Sequence, residues 1–254
     1  MIKLLEKLLY CNIKASDIFK KASEEEQAKR TQQSRELFIK QIENTCTKNA
    51  DGTYNCSDTI DCSGIPLQRF PVQFDIVDGH FYCSGCELET LEGAPRSVEY
   101  DFICEDNNLI TLEGAPKAVG GDFSCISNYL TTLKGGPKQV FGDYLCVDNH
   151  LTNLIGAPKV VEGDFDCSTN ILTSLEGAPE YVGGSFYCVD NKLTSLVGGP
   201  KWVDGTYACG GNELTTLRGI AKYIGKDLLC ANNNLESLKY LPKDIGGIVV
   251  AQDD

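Results

Sequence analysis

Side chains that do chemistry near neutral pH are scarce in this chain. Its 254 residues include two histidines, His80 and His150, 70 positions apart. They stand at different phases of the repeat described below, so nothing brings them together. There is no GxSxG, no phosphate-binding glycine loop and no pair of CxxC motifs at zinc-site spacing, which removes the signatures of the common nucleophilic, nucleotide-dependent and zinc-bound chemistries. An enzyme is not expected, and no metal or cofactor is assigned. Long apolar runs are missing too: none approaches the roughly 20 residues needed to cross a membrane, and Glu6 and Lys7 interrupt the opening MIKLLEKLLYCNIKAS, which reads as a helix and not as a targeting segment. Finally, no glycine or proline occurs before Gly52.

Cysteine is what the chain has in quantity, and its spacing carries the organisation. Cys62, Cys83, Cys104, Cys125, Cys146, Cys167, Cys188, Cys209 and Cys230 recur every 21 residues. Two leucine columns keep the same step, from Leu88 to Leu235 and from Leu91 to Leu238. An aromatic column runs from Phe81 to Tyr207, two residues before the cysteines, and an asparagine column from Asn107 to Asn233, three after them. A fixed period of this size signals stacked supersecondary units.

The physics of one rung can be assigned by position. The stretch around FxC alternates in and out as a half-buried strand does, with ring and thiol inward. The asparagine lies where the chain leaves the strand and can bond the backbone of adjacent rungs. GAP or GGP makes a turn, and a valine or isoleucine from Val98 to Ile245 seals the far side. The return arm is predicted to be extended, because its Gly and Pro leave no room for a long helix. Regular inward thiols one strand apart are fillers, not disulfide partners, so free thiols and a reducing cytoplasm are expected. A bridge between Cys46 and Cys56, which fall outside the column, stays open.

Ahead of the repeat, residues 1 to about 45 read as helix: first Ile2, Leu4, Leu5, Leu8 and Leu9, then a second segment from Ala15 to Asn44 that Ser16 or Asp17 could cap. This head is either a solvated helix that covers the first strand or a docking helix for a partner. Asp51-Gly52 marks a hairpin or loop. In an imperfect first rung Ile60 and Cys62 take the aromatic and cysteine phases, while Leu67, Phe70 and Val77 take the later apolar ones. The division is therefore a head and cap over 1–57 and a solenoid of about nine rungs over 58–254.

The pattern FxCxxNxLxxL resembles the leucine-rich-repeat core LxxLxLxxNxLxxL, with Cys86 where the first asparagine would stand. The full rung, LTSLEGAPxxVGGxFxCxxN, is similar to leucine-rich-repeat proteins encoded by bacteriophages, and its short period resembles that of bacterial effectors. The resemblance implies a leucine-rich-repeat solenoid with a curved parallel β-sheet on its concave face. It also implies a recognition scaffold acting inside an infected bacterium, or a part of the virus particle.

With Phe and Cys inward, the residues beside them face the concave surface. One column reads Asp101, Asp122, Asp143 and Asp164; the next contains Tyr82, Ile103, Leu145, Asp166 and Tyr187; the third Ile126, Val147 and Val189; Asp148 and Asp190 follow just past the strand. This face is predicted to bind a protein with a basic or mixed surface. The aspartates have a plainer reading too, as residues that bond backbone amides at the turn.

Charge agrees with that direction. Residues 1–50 carry ten Lys and Arg against seven Asp and Glu, a net of +3, so the total of −13 leaves −16 on the rest. Direct nucleic-acid binding is not expected of such an array. Mimicry of nucleic-acid phosphates is a further reading, diluted by the basic column Arg96, Lys117, Lys138, Lys159, Lys201, Lys222 and Lys243, to which Glu180 is the exception. The last strand, in IVVAQDD, is expected to offer an open edge for self-association.

Overall fold

A computed structural model describes the backbone of residues 2–251 and the side chains of residues 20, 21 and 23–251. It is a solenoid of parallel strands, about nine turns long, preceded by one helix.

That helix, α1 (Ile2–Thr45), spans 44 residues without a break. Two segments were expected; the backbone runs helical through Ser16 and Asp17, so neither starts a new helix, in keeping with the absence of glycine and proline. The apolar set Ile2 to Leu9, with Ile18 and Phe19, lies outside the described side chains. From Lys20 to Gln33 nearly every described residue is exposed. Docking begins further on, where Phe38 and Ile42 are buried and the Arg35 guanidinium donates to the Pro66 carbonyl, Nε at 2.7 Å. Behind them Phe70, Phe74 and Phe81 meet edge to face.

The Asp51-Gly52 segment is a hairpin, with Thr47–Lys48 antiparallel to Tyr54–Cys56. Cys46 and Cys56 are joined by a disulfide, their Cα atoms 4.4 Å apart. The bridge left open by the sequence is thus formed, by a pair that belongs to no inward column and meets across the junction of helix and hairpin. The ten other described cysteines are free and buried.

Each rung then contributes two short strands. The front strands, from Ile60–Asp61 through Phe81–Tyr82 to Val249–Val250, form a ten-stranded parallel sheet in strict sequence order. Every pairing joins residues 21 apart, such as Phe81 with Phe102 and Tyr144 with Phe165. The return arms are extended as expected, and they also pair. Six strands from Thr47–Lys48 to Gln139–Val140 form one return sheet, and five from Val160–Val161 to Asp244–Ile245 form another.

Between front and return sheets lies a thin continuous core. The aromatic, cysteine, valine and first leucine columns are buried through Leu228 and Cys230. Phe81, Phe102 and Phe123 stack at 5.4 and 5.9 Å. Most ladder thiols donate to a carbonyl of the following rung, as Cys104 does to Ser124 at 3.2 Å. Burial pushes the Cys104, Cys125, Cys146 and Cys167 thiols well above their ordinary pKa, which keeps them protonated and unreactive. In the last rung Leu235 is half-buried and Leu238 is 42% exposed.

One packing rule couples two columns. Where the ring is Phe102, Phe123, Phe165 or Phe186, the turn eight residues earlier carries Ala94, Ala115, Ala157 or Ala178; where it is Tyr144 or Tyr207, the turn carries Gly136 or Gly199. A Cβ at either glycine would lie 3.1 Å from the tyrosine hydroxyl. Where the strand residue shrinks to Leu228 or Val249, the turn residue grows to Ile220 or Leu241. Volume is conserved within these rungs, from Phe102 to Val249, as close packing demands. The Tyr144 and Tyr207 hydroxyls are buried without a hydrogen-bond partner among the described residues, held in the room that the missing methyl leaves.

Gly136→Ala alone is expected to cost about 1–3 kcal/mol through overpacking. Tyr144→Phe should change stability by less than about 1 kcal/mol. The double variant should recover most of the loss, with a coupling of about 1–2 kcal/mol in urea unfolding; strictly additive effects would contradict the rule.

Candidate functional site

The outward residues of the front sheet form three columns. Strand alternation aims Phe and Cys inward and their neighbours outward, and the register sets Tyr82 beside Ile103, Leu145 beside Asp166, and Asp166 beside Tyr187. The sequence-predicted residues are thus brought together on one face spanning six rungs.

Their accessibility departs from expectation. Ile103, Leu145, Tyr187, Ile126, Val147 and Val189 are half-buried, not freely exposed. The cause is the ladder itself: neighbours about 4.8 Å above and below shield each side chain. Ser124 is fully buried and donates to Glu105 Oε1 at 2.5 Å.

The aspartate column has a definite structural task. Asp101 Oδ1 accepts the backbone N–H of Asp122 at 2.9 Å, Asp122 that of Asp143 at 2.8 Å, Asp143 that of Asp164 at 2.7 Å, and Asp164 that of Ser185 at 2.6 Å. Ser185 Oγ continues the chain to the Thr206 N–H at 3.1 Å. These amides belong to the bend between return and front strands, so the side chains close donors that the sheets leave open. At the upstream end His80 Nδ1 lies 3.0 Å from Asp101 Oδ2, its ring stacked with Tyr82 and Tyr100.

Burial raises the Asp143 carboxyl above its ordinary pKa, helped by Asp122 and Asp164, and burial likewise raises Asp166, whose Oδ1 accepts the Ser168 N–H at 2.9 Å. By contrast Asp106, Asp148 and Asp190 are exposed and hold positive φ near 50°, a conformation that aspartate tolerates better than most residues. The face therefore has a half-buried centre of apolar residues interrupted by Ser124 and Asp166, an inner row of carboxylates tied to backbone, and an outer row exposed to solvent.

Two features were missed by reading the columns separately. Tyr129 and His150 stack at 5.8 Å beside the outer carboxylates. On the return side Tyr181, Trp202 and Tyr223 form an aromatic row; the signal was three aromatics at one repeat phase. Among the described residues no cluster of metal-ligating side chains gathers, and no helix is long and apolar enough to cross a membrane. No protein-family model matches the chain, and no curated protein is significantly similar to it.

The raised carboxyl of Asp166 fixes the sign of a pH effect. A carboxyl whose folded pKa is raised contributes stability below its unfolded pKa, and that contribution is lost as pH rises through the folded value. At pH 7 the ionised Asp166 is therefore a cost. Asp166→Asn, which keeps an oxygen for Ser168, should raise the melting temperature at pH 7, and the gain should vanish as pH falls below the ordinary carboxylate value of 3.8. A gain independent of pH would contradict this.

Proposed function

We propose that the chain is a non-catalytic protein-binding module of the leucine-rich-repeat kind, which uses the front sheet to hold one protein partner. The observation that carries this reading is a pair of half-buried apolar patches, Leu145 with Val147 and Tyr187 with Val189, set on either side of the Asp166–Ser168 rung and bordered by carboxylates. Apolar groups framed by charge at fixed positions suit a protein interface. The outer aspartates favour a partner of basic or mixed surface and would hasten its approach. On the strength of the sequence resemblance the module is phage-encoded, acts in the cytoplasm of an infected bacterium and engages a host or defence protein; incorporation in the virus particle is the alternative. Mimicry of nucleic acid is less well supported, because the longest carboxylate row already gives an oxygen from each member to the backbone.

The test is affinity capture from the native host followed by quantitative binding of the captured protein. Tyr187→Glu with Val189→Glu should weaken that binding at least about tenfold, the scale on which central apolar contacts act, with the circular dichroism spectrum unchanged. Undiminished binding would remove the front sheet as the site.

A further inference from the structure

The five-stranded return sheet carries an apolar stripe on its outer side. Val160, Tyr181, Trp202 and Tyr223 occupy the same phase in four successive rungs, paired in register. Val160 is 45% and Trp202 46% exposed, while Tyr181 and Tyr223 are half-buried. The rings are fixed in place: Trp202 and Tyr223 stack at 4.5 Å, the Trp202 Nε1–H donates to Asp204 Oδ1 at 3.0 Å, and the Tyr181 hydroxyl donates to Asp204 Oδ2 at 2.7 Å. Rigid exposed aromatics of this kind are the usual anchors of protein interfaces.

The charges beside the stripe identify its occupant. One residue upstream of it stand Lys159, Glu180, Lys201 and Lys222; two residues downstream stand Glu162 and Asp204. Lys201 is tied to Glu180 at 2.7 Å and Asp204 to the two rings, which leaves exposed Lys159 and Glu162 to meet a second copy. At the Val160 rung the stripe thus has a lysine on one side and a carboxylate on the other. A two-fold axis laid along the stripe, parallel to the stack of rungs, reverses strand direction while keeping rungs in step. It sets Lys159 of each copy opposite Glu162 of the other, with the aromatic rows face to face. Such self-complementarity is what a two-fold interface requires.

We infer that this stripe is a homodimer interface, closed by a second copy of the chain and distinct from the front sheet. The contact is narrow, so association falls in the weak, concentration-dependent class.

Trp202 is the only tryptophan in the chain, so its fluorescence reports on the interface directly. Sedimentation equilibrium on the full chain, up to high micromolar concentration, should show the mass doubling together with a blue shift of the emission. Trp202→Ala and, separately, Lys159→Glu should each weaken association about tenfold or more. Lys159→Glu combined with Glu162→Lys should restore it, since exchanging the flanks preserves the pairing. A monomer at every concentration would overturn the inference. So would a dimer indifferent to both single changes, which would place self-association elsewhere, for instance at the edge formed by Val249–Val250.

Discussion

The buried asparagine amide is the interaction on which this solenoid depends. In a mid-array rung, Asn149 Nδ2 donates to the carbonyls of Cys125, Cys146 and Val147 at 3.0, 3.4 and 3.1 Å, while its Oδ1 accepts the Leu130 N–H at 2.9 Å. Four backbone groups from two rungs meet in one side chain. The chain has just left a strand and is turning: the Val147 carbonyl also accepts the Ser127 N–H at 3.1 Å, while the Cys125 and Cys146 carbonyls are shared with Asn128 and Asn170, the neighbouring members of the column, so the amides link each rung to the next. Six asparagines in this column are buried. Cys86 occupies the position in the first full rung, where its thiol donates to the Cys62 carbonyl at 3.0 Å and approaches that of Ser84 at 3.6 Å. It reproduces the donor half of the amide's task.

A stacked array has no centre, so each rung is stabilised only by its neighbours. Several columns therefore repeat the same function at different points of the coil. The asparagines hold the exit from the front strand, the aspartates hold the entry to it, and backbone pairing in front and return sheets holds the two straight runs. Apolar columns fill the space between, and the exchange of Ala–Phe for Gly–Tyr keeps that filling constant. The same economy shapes the outer surface, where a residue can be available to a partner only at a phase that no ladder claims. On the front sheet this leaves the residues beside Phe and Cys, and on the return sheet the aromatic row.

Much of this was legible in the sequence because the period is invariant. Column identity gave inward and outward faces, the strand at FxC, the hairpin at Asp51-Gly52 and the bonding role of asparagine. What escaped did so for physical reasons. Half-burial of Leu145 or Val189 depends on the closeness of neighbouring rungs, which a single column does not express. Both readings of the aspartates suited their spacing, and only the geometry of the bend shows that Asp122 reaches the Asp143 amide. The compensation between Gly136 and Tyr144 links two columns eight residues apart and is invisible when each is read alone. The Cys46–Cys56 bond depends on how α1 meets the hairpin, a junction with no repeat to calibrate it.

The dependence on the asparagine ladder can be measured at one position. Asn149→Ala leaves the buried Leu130 N–H without its acceptor and removes one donor each from the Cys125, Cys146 and Val147 carbonyls in the middle of the array, and equilibrium unfolding in urea should show a loss of about 1–3 kcal/mol. The control Asn108→Ala, at an exposed asparagine one residue past the column, should change stability by no more than about 0.5 kcal/mol. A loss for Asn149→Ala as small as that of the control would mean that backbone pairing and apolar packing alone hold the rungs together, and would contradict the central role of the amide.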